Sequence, residues 1–464
     1  MDYEAFIRSK GVRIESHGFD LPLDAISDHL FDFQKVIVQW ALRRGRAAIF
    51  ADTGLGKTLM QTTWAQKVVE HTGQNVLISA PLCVAQQTVE EAAKFGITVR
   101  YCRAQEQVKD GITITNYEML DKFDASEFIG IVLDESSILK AHDSKTRMQI
   151  TDTFRETPFR LSCTATPSPN DYIELGNQSE FLGIMNQVEM LATFFTHDGG
   201  DTSKWRLKGH GKVKFWEWMA TWAICIRSPA DLGFDGSRYE LPKLNIVEHV
   251  VQGCELDEGQ LFASVAQTLS ERRQAKRNSM EQRVALAAKI ANETDGPCIV
   301  WCHLNDESAE LGKRVQDAVE VAGSMKPEEK ETKIMAFTHG DKRGIVTKAS
   351  IAGYGLNWQH CNTMIFAGMD DSFESYYQAV RRCWRFGQKK EVTVHLIIAE
   401  TEGAVKANIE RKQAQANDMA GQMVSYMREL TMKQISKASS NTESYNPTMA
   451  ATIPAWIINN VEHA

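Results

Sequence analysis

A glycine-rich loop followed by lysine and threonine is the segment of this sequence best suited to chemistry. It reads Ala51-Asp-Thr-Gly-Leu-Gly-Lys-Thr58 and follows the apolar run Ala47–Phe50. Gly54 and Gly56 permit the tight backbone turn that wraps a phosphate, and a helical pattern over Leu59–Val69 would point its amino-terminal end at the anion. The loop therefore predicts a triphosphate site with these nucleotide contacts: Thr53, Gly54, Leu55, Gly56, Lys57 and Thr58.

Four side chains in and beyond this loop suggest how the nucleotide would react. Lys57 is long enough to reach the β- and γ-phosphates, and the Thr58 hydroxyl suits Mg²⁺. Asp134 and Glu135 end the apolar run Ile129–Leu133, where Asp134 fits a Mg²⁺ partner and Glu135 a base that activates water. We therefore predict ATP and Mg²⁺ as cofactors, with Lys57 and Glu135 as catalytic residues.

A block rich in arginine lies much later in the chain. It reads Gln378-Ala-Val-Arg-Arg-Cys-Trp-Arg-Phe-Gly-Gln388. A planar, permanently charged guanidinium suits the charge that spreads over a transferring γ-phosphoryl group. A solvated helix face would carry the same residues, so the block by itself leaves both interpretations open.

Length and composition indicate a globular protein of two or three domains. The chain has 464 residues, with 43% hydrophobic and 24% charged residues. Its net charge of −8 gives no general attraction to nucleic acid, so such a polymer would need a local patch. The sequence shows no signal-peptide pattern, no apolar run that could span a membrane, and no disulfide or zinc spacing among nine cysteines. We expect a cytoplasmic protein with no membrane partner.

Two regions alternate short apolar runs with segments of helical period, which is typical of parallel α/β sheets. The predicted strands are Ala47–Phe50, Val76–Ala80, Ile112–Thr115 and Ile129–Leu133, then Cys298–Cys302, Gly344–Thr347, Thr363–Phe366 and Val392–Ile397. The region between them, about 178–240, is rich in aromatic residues and is interpreted as a small helical protrusion. Residues 403–436 are predicted as closing helices.

The motifs, taken in order, resemble the superfamily-two helicase-type ATPases, most of all the Swi/Snf-type translocases of double-stranded DNA in a compact, phage-like form. Besides the loop, the carboxylates and the arginine block, the resemblance is carried by Phe33–Trp40, Ala80–Gln87, Ile114–Glu118, Leu161–Leu175, Ile299–His303, Gly323–Lys330 and Lys348–Asn357. It implies two RecA-like parallel-sheet lobes with a small helical protrusion and C-terminal helices. The implied domains are an extension (1–29), lobe one (30–240), lobe two (241–412), and a final helix and tail (413–464).

Motif position also implies roles for individual residues. Gln34 would recognise adenine, Gly355 would contact the nucleotide, and Arg382 and Arg385 would be arginine fingers that complete the active site. The residues that would grip nucleic acid are Pro81, Thr115, Asn116, Thr164, Thr166 and Ser350.

A few positions depart from the family pattern. Ser136 and Ser137 stand where the family often has alanine or cysteine and then histidine. Arg381 replaces an acidic residue, and Cys383 and Trp384 replace alanine and histidine. Ser137 and Trp384 lie where hydrolysis is coupled to the grip on nucleic acid in the family.

The resemblance implies a monomeric ATP hydrolase that moves on double-stranded DNA in a bacterial or phage-infected cell. Two alternatives stay open: a helicase that separates DNA or RNA strands, and an ATP-dependent clamp that does not move. The basic stretch Lys204–Lys214 could contact phosphates or form a solvated loop. The tail Asn441–Ala464 carries the apolar segment Ile453–Ile458, which we expect to pack on the body or on a protein partner.

Overall fold

The computed structural model describes residues 17–140, 144–168, 171–198, 201–251, 279–353, 356–368, 372–399 and 403–436. Gly355 and the tail Asn441–Ala464 lie outside the described residues. The helices are α1 Asp32–Arg44, α2 Lys57–Thr72, α3 Leu82–Lys94, α4 Lys145–Thr153, α5 Leu175–Leu182, α6 Gln187–Phe194, α7 Lys212–Trp222, α8 Met280–Glu293, α9 Asn305–Arg314, α10 Pro327–Thr338, α11 Ala349–Ala352, α12 Phe373–Val380 and α13 Gly403–Ser436. The strands are β1 Arg46–Ala51, β2 Asn75–Ala80, β3 Val99–Tyr101, β4 Ile112–Asn116, β5 Phe128–Asp134, β6 Phe159–Thr164, β7 Phe195–Asp198, β8 Asp201–Leu207, β9 Ala223–Ile226, β10 Leu244–Val251, β11 Cys298–Cys302, β12 Ala318–Val321, β13 Gly344–Lys348, β14 Thr363–Phe366 and β15 Val392–Ala399.

Lobe one is built on a seven-stranded sheet in the order β3-β4-β2-β5-β6-β1-β9. Every neighbouring pair in it is parallel. The inner strands are buried on both faces, which explains their nearly continuous apolar sequences. Because the strands are parallel, their carboxyl ends meet at one edge, and both the phosphate loop and the Asp134–Glu135 pair follow strands at that edge.

Lobe two repeats this plan with a six-stranded sheet in the order β10-β15-β14-β11-β13-β12. Its neighbouring strands are also all parallel. Apolar clusters cover both faces, one around Trp301 and Trp358 and the other around Val300 and Val346. The predicted α/β class with two parallel-sheet lobes is thus confirmed.

The aromatic region between the predicted lobes is fixed to lobe one rather than standing apart from it. Phe215, Trp216 and Trp222 are fully buried in the core on one face of the lobe-one sheet. The region also contains more than helices: β7 and β8 form an antiparallel hairpin, and β9 adds an edge strand to the sheet. Burial of these rings against the sheet accounts for the aromatic composition of the segment.

The last helix crosses from one lobe to the other. α13 begins after the final strand of lobe two, runs for 34 residues, and packs against α7 and β9 of lobe one. Met423 and Met427 enter the lobe-one core, and Tyr426 stacks on Trp216 with ring centroids 5.8 Å apart. Helix α13 therefore links the end of lobe two to the core of lobe one. Within the described part of the chain, no helix has both the length and the apolar character needed to cross a membrane.

Candidate functional site

The phosphate loop owes its shape to two glycines in the left-handed region. Gly54 has φ of +89° and Gly56 has φ of +80°, values that side-chain-bearing residues rarely adopt. A Cβ on Gly54 would also lie 2.8 Å from the backbone nitrogen of Phe386 in lobe two, and one on Gly56 would meet the amide of Gln34. The loop must be glycine-rich both for its own curvature and because lobe two approaches it closely.

Lys57 is held inside the curl of the loop. Its Nζ donates to the carbonyl of Ala51 at 2.7 Å and to that of Asp52 at 3.3 Å. Removal from water lowers the pKa of the Lys57 ammonium, and the nearby charges of Glu135 and Asp52 oppose that shift. The ammonium is therefore placed where a β- or γ-phosphate would replace carbonyl contacts with a stronger, charge-assisted partner.

The two acidic side chains at the end of β5 are both almost fully buried, with 5% of each exposed. Glu135 has φ of +55°, an uncommon conformation for a residue with a side chain, of the kind that clusters at functional sites. Burial and the adjacent Glu135 carboxylate raise the pKa of Asp134 to about 7. Two adjacent buried carboxylates are a setting in which a divalent cation would be strongly attracted.

The donors around Asp134 fit Mg²⁺. Thr58 and Asp134 both line the same cavity, and Mg²⁺ in nucleotide sites usually takes one or two protein oxygens together with phosphate oxygens and water. No cluster of three or more acidic, histidine or cysteine ligands occurs among the described residues. Thr58 and Asp134 would therefore suit a cation that arrives with a triphosphate.

Gln34 connects helix α1 to the phosphate loop. Its Nε2 donates to the carbonyl of Leu55 at 2.8 Å, and its Oε1 accepts from the backbone N–H of Phe31 at 2.9 Å. One amide hydrogen and one acceptor lone pair are left over by these two bonds, which is the pair needed to recognise an adenine edge. The Leu55 side chain is buried and its carbonyl is occupied by Gln34, so contact of Leu55 with nucleotide stays a prediction.

These groups surround a cavity of about 460 Å³ that belongs to both lobes. Lobe one supplies the loop, Gln34 and the two carboxylates, and lobe two supplies Arg382, Arg385 and Phe386. Tyr239, from the segment that joins the lobes, stacks on Phe386 with ring centroids 4.3 Å apart and also lines the cavity. A volume of several hundred cubic ångströms is the size expected for a nucleotide-sized ligand.

The two predicted arginine fingers differ in their surroundings. Arg382 is fully buried and makes three bonds within lobe two: to the carbonyl of Gln378 at 2.8 Å, to its side-chain Oε1 at 2.9 Å, and to the carbonyl of Leu356 at 2.9 Å. Burial lowers the pKa of Arg382 to about 10. Arg385 donates to the same Leu356 carbonyl at 3.1 Å, a single bond where Arg382 makes three. Arg385 is therefore the arginine with donors to spare for a ligand.

A chain of hydrogen bonds joins Glu135 to Arg382 across the cleft. The Thr164 hydroxyl donates to Glu135 at 3.3 Å and accepts from the backbone N–H of Thr166 at 3.1 Å. The Thr166 hydroxyl accepts from Gln378 Nε2 at 3.3 Å, and Gln378 in turn holds Arg382. Thr164 and Thr166, two of the residues predicted to grip nucleic acid, thus lie between the candidate base and an arginine of the other lobe.

The predicted nucleic-acid contacts all lie near the carboxyl ends of strands. Pro81 precedes α3, Thr115 and Asn116 end β4, and Ser350 lies in α11. Ser350 is exposed beside a second cavity of about 290 Å³ in lobe two. The side chains of Thr115, Asn116 and Thr164 are buried, and Thr164 faces Glu135. Their role as polymer contacts stays a prediction.

Sequence reasoning missed three residues of the site. Tyr377 and Arg381 of lobe two reach Asp52, the second residue of the phosphate loop, at 2.7 Å and 2.5 Å. The departure of Arg381 from the family pattern was the available signal, because a basic residue there needs an acidic partner. A further inter-lobe contact joins Lys140 to the buried Glu374, whose carboxylate also accepts from Thr166 at 3.4 Å.

Comparison with known proteins agrees with this geometry. The family model described as "Type III restriction enzyme, res subunit" matches residues 27–169, and "Helicase conserved C-terminal domain" matches residues 281–387. The two matched segments hold, respectively, the phosphate loop with both carboxylates, and the arginine block.

A solved structure shows the same fold. The S. cerevisiae protein Dbp5, bound to RNA and ADP-BeF3, is similar over 85% of this chain and 94% of its own, with 11% identity and a TM-score of 0.55. The Sulfolobus solfataricus SWI2/SNF2 ATPase core in complex with double-stranded DNA matches 90% of this chain and 98% of its own, with 17% identity and a TM-score of 0.41. Both models match in order and both lobes fold as expected, so the chain carries the two conserved domains of a helicase-type, ATP-dependent motor that acts on nucleic acid.

Proposed function

We propose that this protein hydrolyses ATP to ADP and phosphate while it translocates on double-stranded DNA. The observation that carries the proposal is the shared cavity, because the phosphate loop and carboxylates come from lobe one while Arg385 comes from lobe two. A site divided in this way is complete only when the lobes dock, so turnover would alternate docked and separated lobes.

Each residue of the cavity has a distinct proposed task. Lys57 binds the β- and γ-phosphates, and Thr58 and Asp134 would hold Mg²⁺, which neutralises phosphate charge when bound. Glu135 orients the attacking water and accepts its proton. Arg385 stabilises the charge that develops on the γ-phosphoryl group.

Arg382 takes a different part in the proposal. Its three bonds within lobe two hold Gln378 and the carbonyl of Leu356 in place. Through Gln378 and Thr166 it is connected to the hydrogen bonds of Glu135. We assign it to positioning of the cleft, with Arg385 as the residue that contacts phosphate.

The preference for duplex DNA rests on the forms of two motifs. The Arg385-Phe-Gly-Gln388 ending and the run Thr164-Ala-Thr-Pro to Leu175 resemble duplex translocases more than strand separators. A motor that steps along any sequence must hold phosphates rather than base edges. Binding should therefore weaken steeply with salt and vary little with sequence.

Two displacement assays test the proposal together. A triplex-forming strand should be released from duplex DNA in an ATP-dependent manner, whereas a strand annealed by base pairing should stay bound. Lys57→Ala should abolish the triplex signal and so exclude passive release. Release of the annealed strand would favour a strand-separating helicase, and release of neither, with intact ATP turnover, would favour a clamp that does not move.

A further inference from the structure

Two lobe-two side chains converge on one carboxylate of the phosphate loop. The Tyr377 hydroxyl donates to Asp52 Oδ1 at 2.7 Å, and Arg381 Nη2 donates to Asp52 Oδ2 at 2.5 Å. The side chains of Arg381 and Asp52 are 8% and 18% exposed, so the ion pair is largely shielded from water. A pair removed from water in this way is screened little by salt.

The same carboxylate shapes the start of the loop. Asp52 Oδ1 also accepts from the backbone N–H of Thr53 at 2.7 Å and from its hydroxyl at 3.1 Å, and the Asp52 carbonyl accepts from Lys57. Asp52 therefore connects two structures: the first turn of the phosphate loop and the end of α12. A movement of lobe two would pull on the loop through this side chain.

The arginine in this contact is held in one orientation. Its guanidinium lies 4.8 Å from the ring centroid of Trp384 and 5.2 Å from that of Tyr377. Trp384 is fixed in turn by a bond from its Nε1 to the carbonyl of Pro242 at 2.7 Å. Burial and the Asp52 charge raise the pKa of Tyr377, so its phenol stays protonated and donates. The partners of Asp52 are thus preorganised before they meet it.

We propose that Asp52, Tyr377 and Arg381 form a latch that makes the ATP-binding geometry of the phosphate loop depend on the docking of lobe two. The three are positioning residues, since they act on nucleotide through the loop. The latch rests on the proposed ATP hydrolysis and adds a route by which the lobes control nucleotide affinity. Because docking and ATP binding are linked, docking strengthens ATP binding by the same factor by which ATP strengthens docking.

The ion pair of the latch accounts for two departures of the sequence from the family pattern. Arg381 stands where an acidic residue is usual in the family, and Trp384 stands where histidine is usual. In this structure the arginine pairs with Asp52 and the tryptophan lies against its guanidinium. The two departures form one arrangement, in which removal of either charge would leave the other buried and unpaired.

The test compares the ATP dependence of turnover in single and double variants. Asp52→Asn keeps an oxygen for the Thr53 N–H but loses the charge that Arg381 needs, and Arg381→Gln removes the other half. Each should raise KM for ATP by about tenfold or more, with a much smaller change in kcat. In the double variant KM should rise no further than in the worse single variant, since no unpaired charge remains.

Conservative and remote variants serve as controls. Arg381→Lys keeps the charge but not the stacked, planar geometry, so its KM should fall between those of the parent and Arg381→Gln. Arg155→Gln breaks an exposed lobe-one pair with Asp152, both 66% exposed, and should leave KM unchanged. If KM in Arg381→Gln stays within twofold of the parent, or if the two single effects multiply in the double variant, the latch is refuted.

A second measurement is independent of nucleic acid. Fluorescent labels on exposed Val188 in lobe one and Lys313 in lobe two would report the distance between lobes while a fluorescent ATP analogue is titrated. The parent should close at roughly tenfold lower analogue concentration than Arg381→Gln. Equal closing concentrations would contradict the latch. If no nucleic acid stimulates ATP hydrolysis, the proposed translocase function is wrong. The comparison of closing concentrations still tests the latch in that case.

Discussion

The phosphate-loop edge of lobe one and the arginine block of lobe two contribute to one cavity but are constructed differently. In lobe one, backbone conformation fixes the site: Gly54, Gly56 and Glu135 all have positive φ at the ends of buried strands. In lobe two, tertiary hydrogen bonds decide what each arginine does. Local geometry can be read from sequence, whereas partners brought in from elsewhere cannot.

Three arginines within five residues illustrate the point. Arg381 pairs with Asp52 across the cleft, Arg382 holds Gln378 and Leu356 inside lobe two, and Arg385 faces the cavity. Their spacing alone does not distinguish these tasks. Substitutions should distinguish these tasks, because each arginine variant should change a different measured property: KM for Arg381, Tm for Arg382 and kcat for Arg385.

Loss of Arg385 should have the largest effect. Arg385→Ala should lower kcat by about 10³–10⁵, the range for arginine fingers in phosphoryl transfer, because charge on the γ-phosphoryl group would go unstabilised. Steady-state ATP hydrolysis measures this, with Arg385→Lys as a control that keeps charge without the planar fork. A change confined to KM would show that lobe two does not complete the active site.

Glu135→Gln tests the lobe-one side of the comparison. The amide keeps the shape of the side chain but cannot accept the proton of water, so kcat should fall by about 10²–10⁴. ATP affinity, measured by equilibrium binding, should stay within a few fold of the parent. Turnover at the parental rate would place the base elsewhere.

Much of lobe one could be predicted from the sequence. The loop and the Asp134–Glu135 pair each follow an apolar strand, so parallel pairing had to bring them to one edge. Three strands of the lobe-one sheet, β3, β6 and β9, were not predicted, and β3 has only three residues. β6 alternates apolar and polar residues over Phe159–Thr164, a strand pattern that the sequence reasoning overlooked, and β9 is only four residues long within an aromatic stretch.

Less of lobe two could be predicted, and the reason is physical. Motif position marked Arg382 and Arg385 as equivalent and both line the cavity, yet three hydrogen bonds hold Arg382 inside lobe two while Arg385 makes one. Asp52 gave no signal of its own, because its partners lie more than 300 residues away and only the folded cleft joins them.

Arg382→Ala should separate structure from chemistry in the arginine block. It removes a buried guanidinium with three bonds inside lobe two, and hydrogen bonds to a charged group contribute about 1.5–3 kcal/mol. Tm should fall by roughly 3–10 °C. Arg385→Ala loses one such bond and should shift Tm by less than half as much. Equal Tm values for the two variants would mean that Arg382 is no more structural than Arg385.

The smallest expected effect concerns the contact between Lys140 and Glu374. Lys140 is 36% exposed, so water can partly replace its ammonium beside Glu374, and its loss should change activity less than tenfold. Lys140→Ala should reduce stimulation by nucleic acid more than basal turnover, because Glu374 also bonds Thr166. Equal losses in the basal and the stimulated rate would mean that this contact has no part in coupling ATP hydrolysis to nucleic-acid binding.

The central proposal is that the protein hydrolyses ATP as it translocates on duplex DNA. ATPase titrations with duplex DNA, single-stranded DNA and RNA of equal length and at equal salt test it most directly. The account predicts that duplex DNA stimulates turnover most, with little dependence on sequence and a steep loss of stimulation as salt rises. Strong stimulation by RNA or single strands, with duplex DNA inert, would contradict it.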